Sequence, residues 1–490
     1  MVSLSQYPKS FPDDSFPQLV APAGPIDTLG ELRTDSRGRL LVLGGYGRAV
    51  GWAVDGSAAL DANVSNDQWF DDTSDGPVSA TIIFDDDTHI QAQGAWVAVT
   101  APSYAPQILN VVSLWDDVFD CWVRRLGLVP EIYNEANGGY QPSYKPKFDD
   151  EISPIFKSSA LQRWVTNMNP NGASAHDYFA ALNADNDPQA PDLAGVLSIF
   201  RNPFEGDHTD TKLMPLHLGD ANEPLLTLRK TQYFFLKQWS QGRAHFQSGA
   251  RSLGPGERLD KAVMVNCLGG RLDPGIDLTF VVREPGIYTR NWRTEGGGPF
   301  RIRAKHLGYE SAALDKPLLS CGYVPRHIEA EGLEPGDLSK LMALPWHTDF
   351  NACALHLPEN NPNGNRTVFW SWPAQRPVAV YSVDDIAWTP LEGSPTLGPQ
   401  RWAIRGEGAD STRPERWSRY QDHRKMLEHW HQIGVVMQAS AIDGAGSLLP
   451  SDWYLEVGSG LSDTGQMPVV PFPNLATAPS AEGDDSETLS

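Results

Sequence analysis

Glycine and proline set the first limit on this chain, with 44 Gly and 39 Pro spread through 490 residues. Glycine admits backbone conformations that other residues avoid, and proline fixes φ and withholds a donor, so each interrupts helices and central strands. Long unbroken helices are disfavoured. Short strands, short helices and many turns are expected instead. The length suits about three average domains, yet 40% hydrophobic against 20% charged residues describes an ordinary globular chain with a large core. The expected class is α+β: a single β-rich, loop-rich body over residues 1–470, with peripheral helices covering it at about 150–250. The polar Pro/Ser/Asp-rich tail 471–490 is expected to be disordered.

Charge and cysteine usage remove several classes of function. A formal charge of −22 repels phosphate backbones and anionic lipid, and the chain has no Lys/Arg cluster to overcome that, so neither nucleic acid nor a membrane is an expected partner. The acidic runs at Asp85–Asp87 and in the tail read as solvated surface. Cys121, Cys267, Cys321 and Cys353 are far apart and lack CxxC spacing, which fits neither a zinc site nor a disulfide framework. No metal site is expected. The N-terminus lacks a basic region followed by an apolar core, and no apolar run reaches membrane-spanning length. The expectation is a soluble protein, cytoplasmic or exported without a recognisable signal peptide.

Along the chain, GELRTDSRGRLLVLGGYG reads as a hairpin whose turn is Asp35–Gly38. The GGYG run is not a nucleotide fingerprint, because that needs a following helix in a βαβ unit, and AVGWAVDGS reads as strand and turn. Asp67, Asp71, Asp72 and Asp75 lack the ligand spacing of a calcium loop. They read as a polar turn before a strand at Val78–Phe84. Helical spacing appears in LQRWVTNMN, AHDYFAALNA and LRKTQYFFLKQWSQG. DLTFVVREPGIYTR reads as two strands about Pro285–Gly286. RPERWSRYQDHRKMLEHWHQIGVVMQ reads as a helix whose His423, His429 and His431 are surface or interface groups. No zinc-ligand pattern accompanies them.

The stretch 335–381, PGDLSKLMALPWHTDFNACALHLPENNPNGNRTVFWSWPAQRPVAVY, concentrates unusual residues: Asp349 four residues before Cys353, then Trp370 and Trp372. Ordinarily a Cys is a buried small hydrophobe and a Trp a core aromatic. The run PGDLSKLMALPWHTDFNAC followed by WPAQRP, however, resembles the bacterial quinoprotein amino-acid oxidases, the lysine ε-oxidase and glycine oxidase family. The likeness extends to GELRTDSRGRLLVLGGYG, to NDQWFDDTSDGPVSATIIF and to AWVAVTAPSYAPQILNVVSLWDDVFD.

That resemblance implies a cysteine tryptophylquinone, cross-linked from Cys353 and Trp372, with Trp370 the competing Trp and Asp349 the carboxylate needed for cofactor maturation. Proteins delegate two-electron oxidation of amines to cofactors, and a Trp oxygenated at two adjacent ring carbons is such an acceptor. The implied reaction is oxidative deamination of a primary amine of an amino acid, with O2 yielding aldehyde or oxo acid, ammonia and hydrogen peroxide. Asp349, His347 and His356 are the local candidates for the proton-abstracting base. His347 stands where the family often has Gln. Arg376 beside the quinone Trp is a candidate fork for a substrate carboxylate, or a structural Arg. A flavoprotein maturation partner and a homo-oligomer are also implied. Two other classes stay open at this point: a quinoprotein amine dehydrogenase using a different electron acceptor, and a non-catalytic binding or assembly relative with Cys353 and Trp372 unmodified.

Overall fold

The computed structural model describes residues 26, 28–51, 69–92, 94–99, 103–166, 170–205, 213–215, 226–245, 253, 255–266, 278–289, 302–304, 332–339, 377, 379–389, 393–409, 429, 432–442 and 448–461. Eight strands open it as four antiparallel pairs. They are β1 (Gly30–Thr34) with β2 (Leu40–Gly44), β3 (Ala49–Gly51) with β4 (Trp69–Asp71), β5 (Ser74–Val78) with β8 (Ala95–Val99), and β6 (Thr81–Ile83) with β7 (His89–Gln91). The hairpin read at Asp35–Gly38 is present. Asp35 Oδ1 accepts from the Arg37 and Arg39 amides, both at 2.9 Å, and Gly38 takes a φ of +75°, which a side chain would resist. The single strand expected at Val78–Phe84 is instead two, because β5 ends at Val78 and a separate hairpin begins at Thr81.

Helices follow: α1 (Leu114–Arg124), α2 (Ser153–Leu161), α3 (Pro170–Ala180), α4 (Lys230–Ser240), α5 (Pro255–Asn266) and α6 (Leu278–Arg283). Between α1 and α2 lies the short pair β9 (Tyr133–Asn134) and β10 (Gly139–Tyr140). Local chemistry starts α1 cleanly. Ser113 and Asp116 form a reciprocal cap, with the Ser113 amide donating to Asp116 Oδ2 at 2.7 Å and the Asp116 amide donating to Ser113 Oγ at 3.3 Å, and Asp116 and Asp117 sit where the helix dipole favours negative charge. Six short strands come last among the described residues: β11 (Ala379–Val380), β12 (Ala387–Thr389), β13 (Ser394–Thr396), β14 (Arg401–Trp402), β15 (Val435–Gln438) and β16 (Tyr454–Val457).

The mixed α+β class stands. Among the described residues strands pair only in twos, while the largest apolar cluster is helix-built. Phe148, Phe156, Phe179, Phe200, Phe234, Phe235 and Trp239 are buried there together. Such rings bury large areas and pack edge to face, as Phe156 and Trp239 do at 5.4 Å between centroids. Among the described residues the helices of 150–250 thus build this core. LQRWVTNMN holds a tight turn at Gln162–Trp164 after α2 rather than a helix of its own. DLTFVVREPGIYTR is not two strands: it forms α6 and a tight turn at Pro285–Ile287, because Val281 and Val282 are buried against α1 rather than on a sheet. The expected helix ending in VVMQ also fails at its end. Val435–Gln438 is β15, paired with β16, since backbone pairing with Tyr454–Val457 overrides local periodicity. Helices α1, α2 and α5 lie outside the three strings with helical spacing, α2 sharing only Leu161 with one of them.

A second cluster joins Trp96 of β8 to Leu114, Trp115, Val118 and Trp122 of α1, Val281 of α6, and Leu333 and Leu338. A third gathers Ile108, Trp164, Val165, Val380, Ala403 and Val436. These two clusters carry the flanks of the motif stretch. The tail 471–490 lies outside the described residues.

Candidate functional site

Of the stretch 335–381, the structure describes its first residues and its last ones. His347, Asp349, Cys353, His356, Trp370, Trp372 and Arg376 all lie outside the described residues, so the structure neither brings them together nor separates them. What it does show is how both flanks are held.

The N-terminal flank, Gly332–Ser339, is clamped by one carboxylate. Asp75 on β5 accepts from the Ser339 amide at 2.6 Å through Oδ1 and from Trp96 Nε1 at 2.9 Å through Oδ2. Its backbone carbonyl accepts from the Gly336 amide at 3.0 Å. Register explains the Trp contact: Trp96 lies opposite Pro77 on the β5–β8 pair, so it reaches the same-face neighbour Asp75 diagonally. Burial pushes the Asp75 carboxyl up from its ordinary range, and the donors from Ser339 and Trp96 pull against that. Gly336, with φ of +88°, permits the turn that Pro335-Gly-Asp337 makes, and the Glu334 amide closes it by donating to Asp337 Oδ2 at 2.8 Å. Leu333 and Leu338 are fully buried on either side of this turn. Sequence reading took Asp75 for part of a polar turn. Its place on a strand, diagonal to Trp96 across the β5–β8 pair, is what the register adds.

The C-terminal flank is held by packing and an ion pair. The Ala379 amide donates to the Val165 carbonyl at 3.2 Å, and β11 pairs with β14. Tyr381 packs edge-on to Trp164 at 5.6 Å, and its carbonyl accepts from the Glu456 amide at 2.7 Å. Glu456 in turn is paired with Arg405, Nη2 to Oε1 at 2.5 Å and Nη1 to Oε2 at 3.0 Å, and both side chains are buried. This forked geometry is what a guanidinium provides.

Matches to known families fall on both sides of the Asp75 clamp. Residues 3–99 match the L-lysine epsilon oxidase N-terminal family model, and residues 215–372 match that of the L-lysine epsilon oxidase C-terminal domain. The chain belongs to the L-lysine ε-oxidase family. Cys353 and Trp372 are inside the second match, which ends at Trp372. L-lysine 6-oxidase of Marinomonas mediterranea is 31% identical over 393 residues, which are 72% of this chain and 50% of that protein. The chain thus spans about half the length of the curated relative it matches. A crystal structure of the L-Lys ε-oxidase from the same organism superposes with a TM-score of 0.65 at 25% identity, over 90% of this chain and 70% of that one. That enzyme's Schiff base intermediate with L-Lys superposes at 0.64 and 24% identity, over 94% and 72%, a likeness of fold.

Other candidates from the sequence resolve simply. Cys121 on α1 is a free, buried thiol whose Sγ donates to the Arg283 carbonyl at 3.4 Å. Burial and the neighbouring Asp120 push it up to about 12, so it is an inert structural Cys. His429 is half-buried; His423 and His431 lie outside the described residues. Among the described residues no helix is long and apolar enough to cross a membrane.

Proposed function

We propose that this chain is a quinoprotein amino-acid oxidase that deaminates a primary amine with O2, releasing aldehyde or oxo acid, ammonia and hydrogen peroxide. The observation that carries the reading is the DFNAC string within the matched 215–372 segment, together with WPAQRP, whose Trp372 is the last matched residue. The cofactor is a cysteine tryptophylquinone formed from Cys353 and Trp372, within a single body spanning 1–470. The flanks fit such a group: a cross-linked ring needs a backbone held on both sides, and Asp75 and the Arg405–Glu456 pair supply fixed points near Ser339 and Tyr381. The quinone would supply an electrophilic carbonyl and a two-electron acceptor that side chains lack.

The remaining steps belong to this chain's own residues. Asp349 takes up protons released during maturation, and Asp349, His347 or His356 removes the substrate α-proton. Arg376 holds the substrate carboxylate with a planar fork, turning binding energy into alignment of the reacting C–H bond. A flavoprotein acts in maturation, and the mature protein is a homo-oligomer. Amino-acid oxidation is favoured over plain amine oxidation because of Arg376 beside Trp372.

Peptide mapping of the mature protein tests this. The expected product is one fragment joining the Cys353 and Trp372 segments and carrying two added oxygen atoms, together with peroxide release on an amino-acid screen. Separate, unmodified peptides from an active protein would overturn the assignment, and dye-linked turnover without peroxide would move it to a dehydrogenase. Asp349→Ala is expected to give folded protein with Cys353 and Trp372 still separate.

A further inference from the structure

A cavity of about 170 Å³ lies between α1, α2, α4 and α5. Its apolar wall includes Trp115, Phe119, Ile155 and Phe235, and its polar end includes Asn110 and Asp116. An engineered apolar cavity of about 150 Å³ takes a benzene-sized guest, so this one has room for a small organic molecule.

The polar end is not internally satisfied. Asn110 is 5% exposed, and its Oδ1 has no hydrogen-bond partner. A buried unpaired carbonyl oxygen is destabilising, and a donor from a ligand would relieve that. Asp116 spends Oδ2 on the Ser113 amide at 2.7 Å and on Ser113 Oγ at 2.6 Å. Asp116 itself lines the chamber. The other charged groups around it are accounted for. Lys261 Nζ is paired with Asp150 Oδ1 at 2.8 Å and lies 5.7 Å from the Trp115 ring centre. Glu151 accepts from Tyr144 Oη at 2.7 Å and from the Lys147 amide at 2.8 Å. Asp117, next to Asp116, is neutralised by Arg283 at 2.8 Å and Arg229 at 3.3 Å. Asp116 makes no hydrogen bond or ion pair with a cationic side chain among the described residues.

We infer that this cavity binds a small alkylammonium ion, its charged end between Asp116 and Asn110 Oδ1 and its alkyl body against Trp115, Phe119 and Phe235. The charge of the ligand follows from the lining. Asp116, Asp150 and Glu151 outnumber Lys261, so an anion would meet net repulsion, whereas an ammonium supplies the donors that Asn110 and Asp116 lack. Burial pushes the Asp116 carboxyl up to about 6, with Asp117 adding to the rise and the Ser113 donors and Lys261 opposing it. The site is therefore charged at neutral pH and discharges in mild acid. The inference does not rest on the quinone.

Calorimetric titration of the full chain with n-butylammonium tests it, after phenylhydrazine treatment has occupied any reactive carbonyl. One molecule should bind per chain at pH 7.5, and affinity should fall about tenfold by pH 5, as a carboxyl titrating near 6 requires. Uncharged 1-butanol should bind at least tenfold more weakly. Asp116→Asn should weaken butylammonium at least tenfold, and Ser158→Leu, which fills the chamber from α2 without altering charge, should abolish binding. No binding to the unaltered chain, or equal binding to both variants, would overturn the proposal. The phenylhydrazine adduct is read separately by mass, so failure of the quinone reading shows there and not in the titration.

Discussion

The two flanks of the 340–376 segment are held by different kinds of buried electrostatics. Asp75 carries its charge with neutral donors alone, the Ser339 amide and Trp96 Nε1, and burial raises its proton affinity. Glu456 instead meets a guanidinium, and Arg405 further donates to the Trp402 carbonyl at 2.9 Å and to Ser459 Oγ at 3.1 Å. A carboxylate held by dipoles can take up a proton and keep much of its geometry. A buried ion pair has no such latitude, because removing either partner strands a charge in a low dielectric. The N-terminal flank should thus respond to pH, and the C-terminal flank to truncation.

Glu456→Ala is the strongest way to sharpen that contrast. It leaves Arg405 buried and uncompensated, and should cost about 3–5 kcal/mol in denaturant unfolding. A loss below about 1 kcal/mol would show that Arg405 finds water or another partner, and the contrast between the flanks would break. Asp75→Ala is expected to cost less, about 1–3 kcal/mol, because it strands two neutral donors rather than a charge. Hydrogen exchange should locate the loosening at Ser339, whose amide loses its acceptor.

The pH response is smaller and has a definite sign. Because the folded Asp75 holds its proton more tightly than the unfolded one, the folded state binds more protons above the ordinary carboxylate value. Stability from this group is then full below that value and is lost as pH rises through the folded value. Asp75→Asn should flatten that slope in unfolding experiments run from pH 4 upward; an unchanged slope would remove Asp75 from the account. The smallest expected effect is that of the double replacement Arg405→Met with Glu456→Leu, which removes both charges together. Its net change should be near zero, since the desolvation of a buried pair offsets most of its attraction. A loss as large as that of Glu456→Ala alone would mean that the pair contributes specific geometry at Tyr381 that apolar packing cannot replace.

Local chemistry made part of this protein legible from its sequence. The Asp35–Gly38 hairpin, the helices at Pro170–Ala180 and Lys230–Ser240, and the short, interrupted elements all follow from side-chain capping, apolar spacing and the density of Gly and Pro. The residue strings DFNAC and WPAQRP pointed to the family that the matches at 3–99 and 215–372 establish. Tertiary structure decided the rest. Val281 and Val282 are β-branched and read as strand, yet burial against α1 makes them helical. Val435–Gln438 sits at the end of a helical pattern, yet pairing with Tyr454–Val457 makes it a strand. Whether helices cover a core or form it depends on which faces meet, and sequence periodicity shows a face without naming its partner. The two anchors illustrate the same limit: Asp75 meets Ser339 across 264 residues and Arg405 meets Glu456 across 51. Contacts of that separation are set by the packing of whole clusters, to which no local pattern of residues gives access.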